Sequence, residues 1–476
     1  MYTFKPINSQ TNNESGWSKP FSSLSEFTNS PKIIIFAAGG TGCKFLNALT
    51  FLAAGGYFDS TQRHIMPIII EPDESSIERT ITSKILKSYV DLHEFSVSNS
   101  LFNMSISPIG NNNSFFLEFD STKSIFDKYD LGNIFNNNDG YKVLTESLWG
   151  AFDTHNSFFK SNSLVRDSAF IRILLEDIEN SDVIDSLRHN VDERDVFIVT
   201  GSTIGATGSA SLYKITKYIK KTFPNNKLAI IPFLSYNENE AINIKMTYKR
   251  SEDLLSFFKE INFEDLCDKI YYIGASKDLT CYDTHGTNNK SIFNAHICEL
   301  LAAMSIRDFT NSLVDLNDKT KHKYISITKK DKNYFSIDDF LNFEDGKHLI
   351  HCLIRLSLSL KFINEFISPT ANTILEYPSL KEFSDIYINW IDAMNSVDDG
   401  NNLNLFNLHN TPIHKIVTNR KYTKQTVISS ILNLKEKEPL FTIQEFQELM
   451  NKHSDKPFLL RLSLVTDYIY TTFIKE

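Results

Sequence analysis

Long apolar runs are missing from this 476-residue chain, and no stretch approaches the ~20 residues that a membrane-spanning helix requires. Positive charge is also in deficit. Lys+Arg 49 against Asp+Glu 58 gives a net charge of −9, which excludes a protein that wraps nucleic acid on a broad basic face. A small pocket for one nucleotide remains open, because backbone N–H groups and a metal ion can supply a local positive field. Five cysteines (Cys43, Cys267, Cys281, Cys298, Cys352) form no CxxC pair. With a polar first segment that has no signal-peptide core, this points to a reducing cytoplasm. Hydrophobic residues at 41% and charged residues at 22% are ordinary globular usage, and the length suits two to three domains.

Residues 1–30 are rich in Ser, Asn and Pro and read as a polar extension. The first sharp signal is Lys32–Ala37, a β-branched run of buried-strand character, followed by Gly39-Gly40-Thr41-Gly42 and a helical pattern closed by Gly55 and Gly56. A second buried strand, Met66–Ile70, ends in Glu71-Pro72-Asp73. The stretch 88–165, with Asn clusters and many aromatics, reads as an insertion, and helical spacing returns over 164–190. Strand Val196–Thr200, a small-residue loop and an amphipathic helix follow, then strands at Lys227–Phe233 and Lys269–Ile273 and a long helix over Ser291–Phe309. Beyond residue 340 the pattern is mostly helical. The expected architecture is α/β: an open, mostly parallel sheet with helices on both faces over residues 31–310, and a mostly helical C-terminal domain over 311–476.

Glycine between a strand and a helix lets backbone approach a phosphate, and the free N–H groups of the helix start then face the anion. The first loop fits that use. Read as a dinucleotide fingerprint it fails at Phe45, where close helix packing calls for Gly or Ala. The second loop, Gly205-Ala206-Thr207-Gly208-Ser209-Ala210, again joins an apolar strand to a helix. Neither loop is followed by the Lys-Ser/Thr of a P-loop. Two such turns on one sheet can cradle one polyphosphate from both sides.

With these residues in view, the chain resembles the tubulin/FtsZ superfamily. Ile204–Ala210, IGATGSA, is similar to that family's GGGTGSG loop, with Ile204 and Ala206 in place of glycine. The Glu-Pro at 71–72, the Pro-Phe at 232–233, Asn294 on the long helix and the Asp-x-x-Asp of Asp315 and Asp318 follow in the family's order. The resemblance covers about residues 32–320. It implies a GTP/GDP site built by Gly39, Gly40, Thr41, Gly42, Gly205, Ala206, Thr207, Gly208 and Ser209, with Asn294 on the base. It also implies Mg²⁺ near Glu71 and Asp73, and hydrolysis completed by Asp315 and Asp318 acting on the next subunit of a filament or oligomer. The family's guanine-reading strand-end Asn is replaced near Ala275-Ser276, which leaves GTP against ATP open.

Two other readings stand beside it. A non-hydrolysing nucleotide-binding scaffold, for instance in a bacterial defence system, would use the helical C-terminal region to hold a protein partner. An E1-like adenylating enzyme would need an Arg and a Lys after the acidic strand end, for which Arg79 and Lys84 are available. The Asn-, Ile- and Lys-rich usage points to an AT-rich bacterial genome. His348, His351 and Cys352 share one helical face and could in principle ligate zinc. No fourth ligand is near, and a packed helical face with Cys as a small apolar residue is the plainer reading.

Overall fold

The computed structural model describes residues 31–58, 64–109, 114–118, 143, 171–172, 174–234, 237–239, 244–275, 281–283, 295–313, 321–327, 346–363, 378–395 and 443–473. The apolar run after Pro31 forms β1 (Lys32–Ala38), which passes directly into α1 (Gly39–Gly55). Next come β2 (His64–Ile70) and α2 (Ile77–His93), then α3 (Asp182–Asn190), β3 (Val196–Ser202), α4 (Ala206–Thr222) and β4 (Lys227–Phe233). The chain continues through β5 (Asn237–Asn239), α5 (Ile244–Glu260), β6 (Lys269–Ala275), β7 (Cys281–Asp283), α6 (Ile297–Ser312) and β8 (His322–Ile327). Four further helices are α7 (Gly346–Phe362), α8 (Pro378–Asn395), α9 (Ile443–Lys452) and α10 (Phe458–Phe473).

Six strands make one sheet in the order β2-β1-β3-β4-β6-β8, and every pairing in it is parallel. Parallel strands are covered on both faces, which is why their sequences are continuously apolar. Alternate residues of β1 serve the two sides. Ile33, Ile35 and Ala37 join a core with α1, α2 and α6, while Ile34, Phe36 and Ala38 join another with α3, α4 and α5. The α/β expectation with helices on both faces therefore holds.

The described C-terminal helices extend the core on the α1 side of the sheet. α7, α8 and α10 contribute to the same core as α1, and Phe51 of α1 meets the rings of Phe383, Tyr387 and Trp390 at 5.4, 5.1 and 4.9 Å. Gly55 lets α1 touch α7 backbone to backbone, since a Cβ there would lie 2.5 Å from the Cys352 carbonyl oxygen. Gly56, at φ +88°, ends α1 in the left-handed conformation that glycine adopts without strain. Arg355, buried beside it, donates to the carbonyls of Gly55 (3.4 Å) and Asn99 (2.8 Å).

Three differences from the sequence reading concern boundaries and edges. The long helix starts at Ile297 rather than Ser291, because His296 adopts extended backbone and its Nδ1 accepts from the Cys298 amide at 3.1 Å. The Lys-rich segment after residue 318 supplies β8, an added edge strand whose Tyr324 stacks on Tyr272 at 4.8 Å. Parts of the 88–165 insertion lie along β2: Ile65 and Ile69 bridge to Ile106 and Phe116 and cover its outer edge. Residues 1–30 lie outside the described residues.

Candidate functional site

The register fixes where the two glycine turns sit. Ala38, the last residue of β1, is opposite Ile70 of β2 on one side and Gly201 of β3 on the other. From β1 the chain goes to β2 on one flank and later enters β3 on the opposite flank, so the strand order reverses between β1 and β3. In open parallel sheets, the crevice outside the carboxyl ends at such a reversal is where ligands bind. Both glycine turns open on that crevice.

The turns also touch. Gly39, at φ +71°, approaches the second turn so closely that a Cβ on it would lie 3.5 Å from Thr207 Cβ and 3.6 Å from the Gly208 nitrogen. Gly208 is seated against the end of β3, where a Cβ would come within 2.5 Å of the Ser202 nitrogen and oxygen. Gly42 packs the same way on β1, with a Cβ position 2.6 Å from the Ala37 carbonyl carbon. These glycines bring both helix starts onto the strand ends. Thr207, Gly208 and Ser209 are buried, Gly40, Thr41 and Ala206 half-buried, and Gly205 exposed. Ser209 Oγ donates to the Ala206 carbonyl at 3.2 Å, and the Ala206 methyl packs against the core on the α4 face. Phe45, the residue that broke the dinucleotide fingerprint, is buried and packs edge-on against Phe233 at 6.3 Å.

Helix capping separates these two helices from their neighbours. α2, α3 and α6 are capped by side chains: Ser76, Ser181 and His296 accept from backbone amides. α1 and α4 begin at Ala38 and Gly205 with no side-chain cap and no acidic residue in the first turn. The first amides of a helix have no intrahelical acceptor and carry the positive end of its dipole. Two such ends therefore meet at one place, on adjacent strands. That arrangement suits an anion with several oxygens.

The acidic rim comes from the β2–α2 turn. Glu71 follows β2 directly and is buried, its Oε1 accepting from the Asp73 amide at 3.1 Å. Burial pushes its carboxyl up to about 7; the Asp73 amide bond opposes this, and the nearby Asp73 and Glu78 carboxylates add to it. Asp73 Oδ1 accepts from the Ser75 amide and hydroxyl at 2.9 and 2.6 Å. Among the described residues no group of three or more His, Cys, Asp or Glu side chains is gathered to hold a metal. Glu71 and Asp73 are still a fitting donor set for Mg²⁺, which is commonly held by one or two carboxylates together with phosphate oxygens and water.

Solved structures similar to this chain include the following two. One is a CetZ from Methanosaeta thermophila, at 12% identity over 61% of this chain and 56% of that chain, with a TM-score of 0.27. The other is an FtsZ mutant from M. jannaschii, at 13% identity over 63% of this chain and 61% of that chain, with a TM-score of 0.29. The match thus spans less than two thirds of either chain. No family model matches the sequence, and no curated protein matches it.

The structure brings together Gly39–Gly42, Gly205–Ser209 and the Glu71–Asp73 rim. Asn294, Asp315 and Asp318 lie outside the described residues. Three neighbours had escaped the sequence reading or been read differently. Glu78 of α2 lies over Gly40, Lys44 of α1 is 3.9 Å from the Glu78 carboxylate, and Arg79 donates to the Glu71 carbonyl at 2.7 Å with its guanidinium 4.3 Å from the Phe116 ring centre. No spacing in the sequence marks this group, because it forms only where α2 packs beside the start of α1.

The histidine–cysteine face on α7 serves packing. Cys352 is buried and its thiol is pushed up to about 12 by burial, His348 stacks on Tyr57 at 5.2 Å, and His351 lies 3.3 Å from Asp467.

Proposed function

We propose that this chain is a tubulin/FtsZ-like protein that binds a nucleoside triphosphate across the β1 and β3 turns. The observation that carries this reading is the meeting, at the strand-order reversal, of two helix N-termini that have neither a side-chain cap nor an acidic residue in their own first turn. The amides of residues 40–42 and 206–208 would donate to phosphate oxygens, with Thr207 adding a hydroxyl, while the Ser209 amide already donates to the Gly205 carbonyl at 2.9 Å. Glu71 and Asp73 would hold Mg²⁺, whose chemistry there is neutralisation of phosphate charge. Asn294 would contact the base, guanine by resemblance. Catalysis by such a site is positioning and charge stabilisation rather than covalent chemistry. Asp315 and Asp318 of a second copy would orient the attacking water, which ties hydrolysis to self-association.

The adenylating alternative draws no support from its two cations. Arg79 is committed to the Glu71 carbonyl and the Phe116 face, and Lys84 sits on the surface near Glu382 at 3.9 Å. The scaffold alternative shares the binding site and differs only in turnover. Mass identification of the nucleotide that co-purifies with the protein, with phosphate release and light scattering measured against protein concentration, tests the proposal. GTP-dependent release that steepens with concentration is expected. A thermal shift without turnover would favour the scaffold, and absence of any nucleotide effect would end the reading.

A further inference from the structure

Gly40 occupies the second position of α1, where a side chain would point back toward the helix start. Glu78 borders that position. A Cβ on Gly40 would lie 3.6 Å from both Cγ and the carboxyl carbon of Glu78. Glu78 thus places a carboxylate beside the first turn of α1, whose positive end no side chain caps. One turn along the same face stands Lys44, its Nζ 3.9 Å from Glu78 Oε1. That distance is an ion-pair contact too long for a hydrogen bond. Both side chains are mostly sheltered, at 13% and 16% exposure, so their attraction is less screened than on an open surface. Glu78 Oε2 also accepts from Ser76 Oγ at 3.2 Å, which tethers it to the α2 cap.

We infer that Glu78 is a built-in competitor for the anion position at the first glycine turn, and that Lys44 exchanges the Glu78 carboxylate for a phosphate group when a polyphosphate binds. This rests on the nucleotide-site reading and adds its regulation: the ligand must displace an internal carboxylate, which lowers affinity. A triphosphate presents more charge than a monophosphate to Lys44 and the helix end, so the exchange discriminates by phosphate number.

The test is calorimetric titration of the full chain with inorganic tripolyphosphate and with GTP, both without divalent cations. Glu78→Gln should tighten tripolyphosphate binding about tenfold, the scale of one like charge removed at this range in a partly sheltered site. Glu74→Gln removes an equal charge from an exposed position of the same turn and should change affinity less than about twofold. Lys44→Met should weaken binding and should do so more steeply for tripolyphosphate than for inorganic phosphate. Thermal melts without ligand check that each variant is folded. Unchanged or weaker binding by Glu78→Gln overturns the competitor role while leaving the site, and so does an equal gain in Glu74→Gln. Absence of binding by wild type and Glu78→Gln alike removes the site and this inference together.

Discussion

Removing the buried charge at the mouth of the crevice should stabilise the ligand-free protein at alkaline pH. Glu71 is raised from 4.5 to about 7 by burial, so the folded state holds its proton more tightly than the unfolded chain does. The sign follows from linkage: the wild type loses stability as pH rises through the window from 4.5 to about 7, and the loss is complete above it. At 1.36 kcal/mol per pH unit this amounts to about 3 kcal/mol by pH 8, of which roughly 2–3 kcal/mol falls between pH 5 and 8. His64 opposes it. Burial lowers that imidazole from 6.5 to about 4, so its contribution is lost as pH falls through that range. The wild-type profile alone would therefore look flat. Glu71→Gln keeps an oxygen for the Asp73 amide and leaves His64 untouched, so the difference between the two proteins isolates the carboxylate. Urea unfolding followed by tryptophan fluorescence suits the measurement, since Trp390 is buried against α1. The Gln variant should gain about 2–3 kcal/mol over wild type on going from pH 5 to pH 8 without divalent cations. A difference that stays level or shrinks would refute the burial argument.

Gly208→Ala should lose polyphosphate binding and also destabilise the fold by ~1–3 kcal/mol, because its methyl group meets β3 backbone; circular dichroism melts with calorimetry check both effects. Gly208→Trp should abolish binding outright. Arg355→Ala strips the buried donor from the Gly55 and Asn99 carbonyls and should cost about 2–4 kcal/mol, read as early unfolding of the C-terminal helices by hydrogen exchange. Asp318→Ala should bind nucleotide as wild type does while phosphate release slows; normal release would remove that residue from the hydrolytic role.

The strands that frame the crevice were legible because each is apolar on both faces and ends at a glycine or an acid. β1, β2 and β3 all fall within two residues of the expected spans. Strand β8 was hidden by its setting. It is an edge strand, half exposed and flanked by lysines, so its sequence carries no continuous apolar run. The turn residues of the site announced themselves by glycine. Their convergence was a topological fact, set by β3 joining β1 on the side away from β2. Glu78 and Lys44 were silent for a similar reason. A first-turn glutamate and a helical lysine are ordinary on their own, and only the packing of α2 beside the start of α1 gives them a shared place.

The joint grip of the two turns can be observed directly by amide hydrogen exchange, with and without Mg²⁺ and GTP. Amides of residues 39–42 and 205–208 should gain protection together, at the same ligand concentration and by similar factors. Protection confined to one turn, or absent from both while nucleotide is bound elsewhere, would contradict a single polyphosphate held between β1 and β3.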